Sequence, residues 1–117
     1  MPGEAVSVLR ARRFVCVHLV EHRLLYMIDD VRLVVSELAA NAVRHAHSPF
    51  TVSLGQADRA VILSVQDDSP GAPALLAPEL SETAGRGVSI VDMVSEDWGV
   101  TQVPGGGKSV WASFSTR

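Results

Sequence analysis

A single cysteine, Cys16, excludes an internal disulfide. It lies in an apolar run and is expected to behave as a small buried hydrophobe. Aromatic residues make up 5% of the 117-residue chain, while hydrophobic residues make up 47%. The core must therefore be aliphatic, built from Val, Leu, Ile and Ala. Positive charge is scarce: the formal net charge is -3, and after Arg59 the basic residues thin to Arg86, Lys108 and Arg117. That excludes a sequence-independent grip on nucleic acid, which needs clustered Lys and Arg to neutralise phosphates. No apolar run reaches the roughly 18 residues of a membrane helix. The opening MPGEAVSVLRARR has no apolar stretch after a charged one, so no signal peptide is expected. These absences predict a cytoplasmic protein, and the length predicts one domain over residues 1–117.

The segment from about Glu4 to Leu25 has neither Pro nor Gly, and Phe14, Val17, Val20 and Leu24 recur at helical spacing. A second helix, capped by Asp29 or Asp30, runs to about Ala46, before Ser48-Pro49. Its apolar stripe is Val31, Val34, Val35, Leu38 and Ala42. Thr51 to Leu54 and Ala60 to Val65 read as a hairpin, split by Gly55 to Arg59. The stretch from Asp67 to Arg86 holds three of the six prolines. It is too long for an idle turn, and such loops in compact domains are usually functional. Gly87 to Val94 reads as a short helix. Asp97 to Val103 and Ser109 to Ser115 read as strands joined by Pro104-Gly-Gly-Gly107. This order predicts an α+β fold: a two-layer sandwich with a mixed, mostly antiparallel sheet covered on one face by helices.

Four motifs carry candidate chemistry. Glu37 and Asn41 are four apart and share one helix face, which Arg44 and His45 continue. A carboxylate, an amide oxygen and basic groups suit a Mg2+-bound polyphosphate, and they equally suit a solvated polar face. Asp67, ahead of Asp68-Ser69-Pro70-Gly71, ends a strand either as an acceptor for an amino group or as ordinary turn chemistry. Gly85-Arg86-Gly87 opens a helix whose free N–H groups favour anions, or else forms a hinge. Gly107-Lys108 follows a glycine run between two strands, where a plain hairpin turn is the simpler reading.

Together, in this order, the four motifs resemble the boxes of the GHKL ATPases, the family of histidine-kinase ATP domains and gyrase, built on the Bergerat fold. SELAANAVRHA, the DDSPG turn, GRGVSIVDMVSEDWGV and GGGKSVWASF are similar, more closely, to the anti-sigma-factor serine/threonine kinases of actinobacteria. The resemblance implies ATP and Mg2+ as cofactors, with Asn41 as the metal ligand. Glu37 would be the catalytic residue that polarises the attacking hydroxyl. Asp67 would bind the adenine amino group, Ser69 would stand where the family often has glycine, and Gly71 would floor the pocket. Residues 72–84 would form the ATP lid. Gly85, Arg86 and Gly87 would meet phosphates, Arg44 and His45 would belong to the same site, and Gly107 and Lys108 would flank the base. The implied function is an ATP-dependent kinase that phosphorylates Ser or Thr on an anti-sigma-factor antagonist and holds a sigma factor inactive. The alternative is a binding module that acts by sequestration alone. A leading β-strand usual in the family is absent or displaced. The apolar first helix and an exposed sheet edge allow a homodimer.

Two further patterns carry less. His18-Leu-Val-Glu21-His22 fits a zinc-peptidase pattern, but a catalytic zinc needs a third ligand and a cleft. Gly107-Lys108-Ser109 resembles the end of a P-loop, yet Gln102 stands where that motif needs glycine, and a strand follows. Trp98 and Trp111 are expected to serve core and edge packing.

Overall fold

Alternation along the chain sets the sheet. The computed structural model describes residues 1, 2, 5–46, 49–68 and 90–116. Four strands, β1 (Phe50–Ala57), β2 (Ala60–Asp67), β3 (Asp97–Gln102) and β4 (Lys108–Ser115), form one sheet in the order β1-β2-β4-β3. Every described pairing is antiparallel. On β2 the buried positions are Val61, Leu63, Val65 and Asp67; on β4 they are Lys108, Val110, Ala112 and Phe114. The register joins them rung by rung: Val61 to Phe114, Leu63 to Ala112, Val65 to Val110. A period of two places all of them on one face.

Two helices cover that face. Helix α1 spans Ala5–Glu21, and a 3-10 turn at Leu25–Met27 leads into α2, Ile28–Asn41. Val31, Val34, Val35, Leu38 and Ala42 are buried as the spacing predicts, and α2 packs over β2 and β4. Asp29 and Asp30 do not cap α2. They sit in its first turn after the N-cap Met27, where their negative charge complements the positive end of the helix dipole. Asp29 also accepts from Arg32 at 3.2 Å.

Helix α1 corrects the sequence reading twice. It stops at Glu21 rather than near Leu25, because Arg23 turns left-handed at φ 60°. Leu24 N–H then reaches Leu19 O at 2.8 Å and Arg23 N–H reaches Val20 O at 3.1 Å, the paired bonds of a Schellman end. The buried face is Ser7, Ala11, Val15 and Leu19, while Phe14, Val17 and Val20 are exposed. The helix is apolar on two sides, and the ridge of small residues at steps of four is the one that packs on α2. Cys16, expected to be buried, is half-buried and free.

The hairpin turn is shorter than the sequence implies, with Asp58 left-handed at φ 52° and Ala57 paired to Ala60. Met1 and Phe50 exchange both backbone hydrogen bonds, so the first residue lies along β1. Residues 90–94 are helical; residues 87–89 of that expected helix lie outside the described residues. Trp98 bonds Asp92 through Nε1 at 3.3 Å, tying β3 to this helix. Trp111 lies against Gly99 on the opposite face of the sheet, where a Cβ would come 2.8 Å from its ring.

Candidate functional site

The aliphatic rungs between β2 and β4 end in a charged one. Asp67 and Lys108 are register partners and face inward by the same parity as Val65 and Val110. Lys108, the only lysine in the chain, donates from Nζ to Asp67 Oδ1 at 3.0 Å, with side chains 3% and 4% exposed. Removing both charges from water is costly, and their mutual attraction offsets that cost only with close geometry. Phe50 pairs with Asp67 from the β1 side and Gln102 with Lys108 from the β3 side, so this row crosses the whole sheet at one end.

The turn before β4 makes the row possible. Gly106 N–H bonds Val103 O at 3.1 Å, with Pro104 second and Gly105 third at φ 90°, the pattern of a type II turn. Gly106 and Gly107 are also left-handed. At Gly107 a Cβ would lie 2.4 Å from the Asp67 carbonyl oxygen. Glycine there lets the backbone close onto the end of β2 and deliver Lys108 to the carboxylate. The chain after Gly107 is strand, which is incompatible with the helix a P-loop requires.

At the other end of the motif set, Glu37 and Asn41 lie one turn apart on α2, with Glu37 half-buried. Asn41 is 7% exposed. Its amide oxygen is a hard ligand of the kind Mg2+ takes. Arg44 departs from the expected geometry. Ala42–Ala46 is a π turn, so the α-helical spacing no longer holds beyond Asn41, and Arg44 is exposed. His45 lies on the same turn, but its side chain is outside the described residues, as are Ser69, Gly71, the expected lid at 72–84, and Gly85, Arg86 and Gly87.

The structure thus brings Asp67, Gly107 and Lys108 into one contact, with Glu37 and Asn41 on the helix above that sheet. The sequence reading missed the ion pair: the period of two that buries Val110, Ala112 and Phe114 also turns Lys108 inward, but only the register makes Asp67 its neighbour. It also missed Phe50 as the neighbour of Asp67 in the row. His18, Glu21 and His22 are on α1. The two imidazole rings stack at 4.1 Å, and His22 Nδ1 donates to His18 O at 2.8 Å. Burial lowers the His18 pKa, His22 lowers it further, and Glu21 partly opposes them. No group of three metal-ligating side chains occurs among the described residues.

Residues 2–114 match the family described as histidine kinase-like ATPase domain. The chain is also similar to the signal transduction histidine-protein kinase AfsQ2 of Streptomyces coelicolor, at 32% identity over 78 residues. That match covers 54% of this chain and 15% of the relative.

Proposed function

The chain belongs to the histidine kinase-like ATPase domain family, and from that premise we propose that it binds Mg2+-ATP and transfers the terminal phosphoryl group to a Ser or Thr of a partner protein. The partner is an anti-sigma-factor antagonist, and the other partner is a sigma factor held inactive in the cytoplasm. The observation that carries the reading is Asn41, a carboxamide only 7% exposed, one turn from Glu37 on the same helix.

The residues fit the cofactors. Asn41 would hold Mg2+ through its amide oxygen, and the metal, when bound, supplies neutralisation of phosphate charge. Asp67, paired with Lys108, would accept from the adenine amino group. Gly85, Arg86 and Gly87 would add donors for the phosphates. Glu37 would orient the attacking hydroxyl and take its proton, a role worth about 10²–10⁴-fold in rate.

A second reading rests on the similarity to a histidine kinase. In it the same site phosphorylates a histidine rather than a hydroxyl. One experiment separates the two: radiolabelled ATP is incubated with the protein and candidate partners, and the product is treated with acid. Label on a hydroxyl survives acid, whereas label on an imidazole is lost. Calorimetry with ATP, with and without Mg2+, tests the site itself. Absence of binding in both conditions overturns the ATP reading and leaves sequestration as the function.

A further inference from the structure

At the end of the sheet opposite Asp67 and Lys108, a cavity of about 290 Å³ lies between the start of α2 and the close of β4. Phe114 of β4 and Met27, the N-cap of α2, are both buried and supply apolar wall, to which Val94 adds. Asp30, from the first turn of α2, and Glu96, just ahead of β3, bring two exposed carboxylates to the same lining. Neither forms an ion pair among the described residues. Glu96 accepts from the Ser115 hydroxyl, which also lines the cavity. Arg59, whose carbonyl oxygen accepts from Thr116 N–H at 2.7 Å, stands at this end of the sheet but is not part of the lining.

This lining joins hydrocarbon to negative charge, which suits a cation carried on an apolar stem. At about 290 Å³ the cavity falls just under the range of roughly 300–1,000 Å³ that holds cofactors and drug-sized ligands, and it is of a size for one side chain. A guanidinium fits it better than an ammonium. It is planar, donates to two carboxylates at once and stacks on aromatic rings, here that of Tyr26 in the lining. The surroundings favour a side chain within a polypeptide over a free cation. Leu25 and Met93, chain neighbours of the lining residues Tyr26 and Val94, are 62% and 82% exposed. Exposed apolar side chains grouped with a polar rim are the signature of protein association surfaces, and arginine is among the residues that dominate binding there.

We propose that this cavity docks an arginine of a partner protein, its stem against Met27 and Phe114 and its guanidinium shared by Asp30 and Glu96. Aliphatic residues of the same partner segment cover Leu25 and Met93. The site stands apart from the nucleotide reading and does not depend on it. Phe114 lies about 20 Å along β4 from Lys108. Asp30 lies about 16 Å along α2 from Asn41. Partner segment and nucleotide therefore occupy opposite ends of the same two elements and do not compete.

Titration of the isotope-labelled full chain with the blocked tripeptide N-acetyl-Leu-Arg-Leu-amide, followed by amide NMR correlation spectra, tests it. The tripeptide shifts the amides of Met27, Asp30, Glu96 and Ser115 saturably, with a Kd on the order of 1 mM. Its citrulline analogue, similar in shape but uncharged, binds about tenfold more weakly. Asp30→Asn and Glu96→Gln, both at exposed positions, weaken the tripeptide about threefold each, and the double variant about tenfold. Met93→Ser weakens the tripeptide about threefold and leaves the binding of ethylguanidinium unchanged. Absence of saturable shifts at these amides up to about 20 mM overturns the proposal. So does a citrulline analogue that binds equally well, or a double variant with unchanged affinity. Ethylguanidinium binding as tightly as the tripeptide overturns it too, because the cavity then takes a free cation and the segment around the arginine contributes nothing.

Discussion

Asp67 and Lys108 close the aliphatic ladder of the sheet with a buried ion pair at 3.0 Å. Three rungs of hydrocarbon lie on one side of it, and the Gly107 turn lies on the other. Removing one partner leaves a buried charge uncompensated. Lys108→Met is expected to destabilise by about 3–5 kcal/mol. Asp67→Leu combined with Lys108→Met recovers most of that loss, since a packed apolar pair avoids the desolvation cost. Urea denaturation of the single and double variants measures both; a double variant as unstable as the single counts against the pairing.

Gly107→Ala meets two obstacles, a backbone at φ 92° and a carbonyl oxygen 2.4 Å from the new Cβ. The conformational strain alone costs about 1–3 kcal/mol. Gly105→Asn keeps a similar φ of 90° but meets nothing within 4 Å, and Asn tolerates this region. Its effect stays below about 1 kcal/mol. Thermal melting of the two variants should separate them clearly. Equal losses would mean the contact with Asp67 is unimportant.

Asn41→Ala is expected to remove the Mg2+-dependent part of ATP binding. Glu37→Ala should bind ATP with little change and lose transfer by about 10²–10⁴-fold. Titration calorimetry reads the first and label transfer the second. Unimpaired transfer by the Glu37 variant removes it from the mechanism.

His18 makes stability depend on pH. Its folded-state pKa lies below 6.5, so the folded chain binds the proton less readily than the unfolded one. The contribution is present above the unfolded value and is lost as pH falls through the folded one. Melting temperature should therefore decline from neutral pH into the range below 6.5. Phe14, at 6.5 Å, and the stacked His22 are its aromatic neighbours, and Glu21 is the nearby carboxylate. His18→Gln should flatten the profile over that range; an unchanged slope rules out His18 as its source.

Local pattern alone determined a good deal of this protein. The α2 stripe from Val31 to Ala42, the α+β order of elements and all four strands to within about three residues at their ends follow from spacing, turn chemistry and β-branched runs. Glu37 and Asn41 share a face because four residues make about one helical turn. Tertiary structure decided the rest. Whether α1 buries Phe14 or Ala11 depends on which ridge fits α2, because both faces are apolar. Whether Lys108 faces water or Asp67 depends on strand register and on how closely Gly107 approaches the end of β2. Both choices are contacts between residues far apart in sequence, where periodicity carries no information about the neighbour.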